Sequence, residues 1–224
     1  MLIPSNIGIS FTDILISIFV MVMALFIAMP IHEFAHAVAA KHEGDYTAVV
    51  AKRYTLAPLA HFDAMGFIFL FLFRFGWAKP VPVDERNFKR GNKSKFLVSI
   101  AGILANLIAG ILFLFIYMLI SRFAPEFYTS SLYGYVLNQF LQICVSLNFM
   151  LAIFNILPIY PLDGYHIIES FSKTENSFLR FMKQYSFLIY IILIITGLYS
   201  IFYSFTAGLL IEGLIKLFSL ILGF

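Results

Sequence analysis

The chain has 224 residues, of which 61% are hydrophobic and 12% charged; its mean hydropathy is +0.92 and its formal net charge +3. Soluble domains carry roughly 25% charged residues, so no water-soluble fold can hide this much apolar surface and the bilayer must be the solvent for most of it. The small, dispersed positive charge excludes a nucleic-acid-binding role, and a single cysteine, Cys144, excludes an intramolecular disulfide.

The length suits four to six spanning helices of about 20 residues each, an all-α polytopic membrane protein with one domain over residues 1–224. The first apolar segment runs from about Ile14 to Ala40. No Lys or Arg precedes Lys41, and the stretch is too long for the apolar region of a signal peptide, so it is expected to be a retained helix. Near its end lies His32-Glu33-Phe34-Ala35-His36. On a helix, residues four apart share one face, so both imidazoles can reach one metal ion while Glu33 contacts the water beside it. Two histidines and a glutamate inside a membrane helix are expensive, and such residues mark functional sites.

Next comes a basic stretch. Ten of the 15 Lys and Arg residues lie between Lys41 and Lys95. Within it, Gly66–Trp77 is very apolar but too short to span, which predicts re-entrant or interfacial structure over about 63–83, either re-entrant or a β-hairpin. In Lys79-Pro80-Val81-Pro82-Val83 the prolines alternate with valines, a pattern that suits an extended edge strand as well as a connecting loop. The charged loop 84–95 is expected to be a solvated face.

The second span covers about Phe96 to Ile120 (96–120). It carries Ala101, Ala105 and Ala109 at four-residue spacing with Gly102 and Gly110 beside them, a stripe that lets helices approach closely in lipid, and Asn106 falls in the same region. A third span, about Leu137 to Pro158 (137–158), leads into Asn155-Ile156-Leu157-Pro158-Ile159-Tyr160-Pro161-Leu162-Asp163-Gly164. A fourth covers about 187–205. A weaker segment, about 207–224, contains Glu212 and Lys216 and either spans or lies at the interface. The loop 123–136 has no Lys or Arg, whereas the 171–184 loop has three. The excess of positive charge on cytoplasmic loops then puts the N-terminus outside and both basic loops, with the His32 end of the first span, in the cytoplasm of a plasma-membrane protein.

A catalytic zinc needs a third protein ligand if water is to take the fourth position. His42 and His61 lie in or near the basic stretch and are expected to be solvated. Asp163 follows the third span and so reaches the same leaflet as His32 and His36; Pro158 breaks the helix before it, and Gly164 permits a tight backbone after it. Taken alone, Asp163 fits ligation and capping of the next helix equally well; beside the histidine pair, ligation is favoured.

These residues resemble the site-2 protease family of intramembrane zinc metalloproteases, in its compact prokaryotic branch without PDZ or CBS domains. The resemblance rests on His32-Glu33-Phe34-Ala35-His36, on Gly76-Trp77-Ala78-Lys79-Pro80-Val81-Pro82-Val83, and on Asn155, Pro158 and Leu162-Asp163-Gly164, and covers about Ile14 to Ser170. It implies one zinc ion held by His32, His36 and Asp163, Glu33 as the catalytic residue, and Asn155 as a contact to substrate; the proline–valine alternation of Lys79–Val83 separately suggests an edge that pairs with an unwound substrate by strand addition. Asn106, Pro158 and Gly164 are expected to support the site. The implied partners are transmembrane proteins or peptides, in regulated intramembrane proteolysis or clearance of signal-peptide remnants; no feature specifies the oligomeric state. The chain departs from the family pattern at Asp63-Ala64-Met65-Gly66 and Ala101-Gly102-Ile103-Leu104-Ala105-Asn106, each lacking a proline, and at Tyr160 and Tyr165-His166; His166, three residues past Asp163, is a further imidazole near the site. An ion-path protein would place similar residues along a pore but would show related halves, and no internal repeat is present. An inactive scaffold would have lost Glu33 or a ligand, and all are present.

Overall fold

A computed structural model describes residues 11–73, 78–172 and 176–223. Helix α1 (Phe11–His42) is followed by a short helix, α2 (Thr47–Val50), and by α3 (Ala64–Phe73). Then come α4 (Asn92–Phe123), the single turn α5 (Phe127–Ser130), α6 (Leu132–Asn155) and α7 (Asp163–Phe171). The chain ends in α8 (Ser177–Gln184), α9 (Ser186–Ile195) and α10 (Leu198–Leu222). Four helices, α1, α4, α6 and α10, are long and apolar enough to cross a membrane, and α8 with α9 forms a pair bent by 65° that together passes the same test.

The core is the three-helix contact of α1, α4 and α6. Its logic is a four-residue repeat. On α1 the buried positions include Val20, Ala24, Ala28, His32, His36 and Ala40; on α4 they include Val98, Gly102, Asn106, Gly110, Leu114 and Met118. Side chains four apart stack on one helix face, and the predominance of small ones lets two spanning helices pack backbone to backbone, where lipid offers no hydrophobic drive for association. Contacts of His36 with Val98 and of His32 with Asn106 show that α1 and α4 run antiparallel. Asn106 also meets Asn148, so the last turns of α6 reach the same end as the histidines.

The expected first three spans match α1, α4 and α6 to within a few residues. The last part is divided differently. A break falls at Gly197, inside the segment expected as a span, and its φ of 68° is left-handed, a conformation that costs glycine little and other residues more. The segment expected as a span over 187–205 is therefore split, and residues 207–222 form most of the long helix α10. Of the two forms expected over 63–83, re-entrant or β-hairpin, the hairpin does not occur: among the described residues there is no strand, and α3 is a helix whose first turn is capped by Asp63 Oδ1 accepting from Gly66 N–H at 2.8 Å. At roughly 1.5 Å per residue its ten residues are too short to cross a bilayer. Gly76 and Trp77 lie outside the described residues.

Lys79–Val83 forms no edge strand. Lys79 N–H donates to His61 O at 2.9 Å, Val81 N–H to Glu33 Oε2 at 2.7 Å, and Asp84 N–H to Asp45 Oδ2 at 2.8 Å. Pro80 and Pro82 have no N–H to give. Of the donors a ladder would need, those of Lys79 and Val81 are spent inward and Pro80 and Pro82 have none, which is why the valine–proline alternation does not become a strand here.

Candidate active site

The four-residue spacing in α1 places His32 and His36 on its α4-facing side, with the rings edge to face and their Nε2 atoms 3.1 Å apart. Asp163, the first residue of α7, closes the cluster: its Oδ2 lies 3.3 Å from His32 Nε2 and its Oδ1 3.3 Å from His36 Nε2. Gly164 allows the chain to turn into α7 at that point. A Cβ there would stand 2.2 Å from Ile156 O and 2.5 Å from Leu157 O, both backbone atoms that cannot swing aside.

Hydrogen bonds behind the rings fix which nitrogens point into the cluster. Asn106 uses its amide N–H groups on Ala28 O (3.2 Å) and Asn148 Oδ1 (2.9 Å), and Asn148 donates in turn to Cys144 O (2.8 Å). Asn106 Oδ1 therefore faces His32 as an acceptor at 2.6 Å, so His32 Nδ1 carries the hydrogen. The Val98 carbonyl does the same for His36 Nδ1 at 2.7 Å. With both rings protonated on Nδ1, both Nε2 atoms present lone pairs, and so does the carboxylate of Asp163. Its Oδ2 is enclosed and receives no hydrogen bond.

Acceptors aimed at one another repel unless a cation stands between them. A proton on one nitrogen relieves only part of this set; a metal ion satisfies all of it. Tetrahedral zinc with bonds of about 2.0–2.1 Å spaces its ligand atoms roughly 3.3 Å apart, which the observed 3.1 and 3.3 Å separations match. The residues present fit zinc, with Asn106 and Val98 O as the outer partners that orient imidazole ligands.

Glu33 lies next to this cluster in sequence, and its Oε2 is held by Val81 N–H. Asn155, at the end of α6, donates to Leu151 O at 2.9 Å and makes no hydrogen bond to the three clustered residues. The other histidines are elsewhere employed. His42 is exposed beside Glu43, and His166 turns to Glu169 at 3.1 Å. His61, expected to be solvated, is 2% exposed and bonds Thr55 O through Nε2 at 2.8 Å. Glu85, His166 and Glu169 also converge, but the Lys95 ammonium already bridges the two carboxylates at 2.8 and 2.6 Å.

The site contains residues that the motifs did not single out. Gly102 was legible only as a small packing residue. A Cβ there would stand 2.4 Å from His36 Nε2 and 2.6 Å from His32 Cε1, so its bare backbone forms a wall of the cluster. Asn148 could have been found as an amide in mid-span, where a polar group needs a reason.

The model of peptidase family M50 matches residues 20–197, a stretch that contains every residue of the cluster. The protein named "Putative zinc metalloprotease YwhC" from Bacillus subtilis (strain 168) is 37% identical over 204 residues, covering 90% of this chain and 91% of the relative. No solved structure matches the chain. A family match over most of the sequence, with the histidine pair and the aspartate brought together as a metal site of the right spacing, makes this chain a membrane metallopeptidase of family M50, the site-2 protease family.

Proposed function

We propose that the protein hydrolyses peptide bonds of transmembrane substrates within or near the bilayer, using one zinc ion held by His32, His36 and Asp163. The observation that carries this reading is the convergence of two imidazole lone pairs and a carboxylate, 3.1–3.3 Å apart, beside a glutamate. Bound there, zinc supplies Lewis acidity, drawing electron density from a carbonyl and acidifying water. Glu33 accepts a proton from the attacking water and passes it to the departing amine, so the hydroxyl ends on the acyl carbon and the proton on nitrogen, and the broken peptide bond yields a carboxylic acid and an amine, which ionise to carboxylate and ammonium. Val81 N–H, bonded to Oε2, leaves Oε1 as the working oxygen.

A helical substrate hides its scissile carbonyl and must unwind locally. In this reading Lys79–Val83 receives the unwound stretch. With Lys79 and Val81 N–H bonded within the protein and Pro80 O beside Arg53 Nη2, this segment offers the Pro82 carbonyl rather than a full ladder, and Asn155 adds a side-chain amide from the end of α6. Membrane-tethered regulators and signal-peptide remnants are substrates of suitable form. The density of Lys and Arg beside the histidine end of α1 supports a plasma-membrane protein whose site opens to the cytoplasm.

The test is cleavage of a transmembrane substrate in detergent by wild type and Glu33→Gln, with bound zinc measured in both. A variant that keeps its zinc and loses roughly a hundredfold to ten-thousandfold in rate supports the reading. A wild type that binds no metal, or a Glu33→Gln protein that cuts as fast, overturns it.

A further inference from the structure

Arg53 is 8% exposed, yet among the described residues it forms no ion pair with a carboxylate. Its Nη2 donates to Lys79 O at 2.6 Å and stands 3.5 Å from Pro80 O, while its Nε is enclosed without a partner. A buried guanidinium without a counter-charge is a costly way to fill space, and an apolar side chain would pack at less expense. What sets this position apart is the peptide group it faces. The Pro80–Val81 peptide has Arg53 on its oxygen side and Glu33 on its hydrogen side, the N–H donating to Oε2 at 2.7 Å. A cation, a peptide dipole and an anion are thus placed in series, each favouring the next.

The geometry points to Arg53 as a positioning residue that holds the Glu33 carboxylate through the Pro80–Val81 peptide group. The inference rests on the proposed role of Glu33. Two features tie these groups into a single unit. The chain segment that delivers Arg53 is itself fixed, with Arg53 N–H donating to Ala48 O at 2.8 Å. The Val81 side chain packs with Ala37 of α1, Ala48 of α2 and Tyr54, so the peptide is anchored on one side by packing and on the other by the guanidinium. Packing alone fixes where Val81 sits. It does not fix the rotation of the Pro80–Val81 peptide plane, and that rotation decides whether the N–H reaches Glu33. Arg53 bears on that rotation through Pro80 O, 3.5 Å from its Nη2, and on the preceding peptide by holding Lys79 O.

The test combines a double-mutant cycle with a readout that needs no catalysis. Arg53→Met removes the donors, Val81→Pro removes the N–H that Glu33 accepts, and Arg53→Lys keeps one donor for Lys79 O. Bound zinc and thermal midpoint are recorded for each, together with kcat, KM and amide hydrogen exchange of the peptide spanning residues 78–84. Arg53→Met is expected to lower kcat roughly tenfold to a hundredfold with KM and zinc little changed, as a misplaced catalytic group does. It should also deprotect the 78–84 amides, with Arg53→Lys restoring part of both. In the Val81→Pro background, Arg53→Met should cost little further, because both changes break the same link. Full additivity, or unchanged protection of 78–84 in Arg53→Met, overturns the inference. The exchange arm holds even if the wild type cleaves nothing, so failure of the proposed reaction and failure of this coupling are read separately. If Arg53→Met does not fold, Arg53→Lys carries the comparison: with fewer donors it should show 78–84 protection and kcat below wild type, and wild-type values of both would overturn the role.

Discussion

Gly102 sets how closely α4 can approach the imidazoles of α1. Added methyl groups are usually accommodated when the neighbour is the loose end of a side chain, but here both rings are pinned from behind, His32 by Asn106 and His36 by Val98 O. Neither can yield the several tenths of an ångström that a Cβ at 2.4 Å demands without breaking its outer bond. Gly102→Ala is therefore expected to leave the helical content intact and weaken zinc binding at least tenfold, the scale of losing an outer partner. Zinc titration against a competing chelator, beside circular dichroism, measures both; wild-type affinity in the variant would show that the helices have room to part. The histidine pair was legible because its geometry is local, four residues along one helix. Gly102, Asn148 and Arg53 act across helices or loops, and nothing in their own sequence neighbourhoods says which ring, amide or carbonyl they will face.

At the level of elements, the ends of α1 and α4 are tied by Glu43, which is 2% exposed. Its carboxylate accepts from Arg90 Nε at 2.9 Å, from Arg90 Nη2, and from Ser94 Oγ at 2.6 Å, while its backbone carbonyl accepts from Lys89 N–H at 2.8 Å. The Arg90 guanidinium first, and Ser94 next, hold the Glu43 carboxyl down from its ordinary 4.5 to about 2. A carboxyl lowered on folding stabilises the fold fully above its unfolded value and loses that contribution as the pH falls towards the folded one. Stability is thus expected to decline between about pH 4.5 and about 2, and Glu43→Gln should remove this group's share of the decline. Thermal midpoints in detergent across that window check it; an unchanged slope in the variant would mean other carboxyls dominate. Apolar runs announced α1, α4 and α6 because a span needs length and little else. The division at Gly197 was not announced, since a glycine in an apolar run reads the same whether it packs or turns left-handed. The edge strand failed for a related reason: alternation predicts an extended chain, but the partners of its N–H groups, His61 O, Glu33 and Asp45, come from residues 18 to 48 positions away.

For the whole molecule, the three core helices bring the end of α1, the start of α4 and the end of α6 to one side, and the basic stretch 41–95 begins and ends there. That arrangement makes orientation a property of the entire bundle. If Lys93, exposed at the start of α4, faces the cytoplasm, then Thr129, exposed at the far end of α4 and α6, must face the other side. Single cysteines placed at these two positions, in a chain whose buried Cys144 is replaced by alanine, report this directly. On intact cells a membrane-impermeant maleimide is expected to label Thr129→Cys at once and Lys93→Cys only after the membrane is opened. The reverse pattern would put the zinc site on the outer side, against the charge asymmetry of the loops, and would require substrates to be presented from outside. Labelling of both on intact cells would mean that α4 does not cross as one span, and would remove the depth argument that makes two histidines and a glutamate in α1 costly enough to imply a site. The orientation experiment thus bears on the chemistry as well as on topology, because the side to which the cluster opens decides which water reaches it and which end of a transmembrane substrate it can cut.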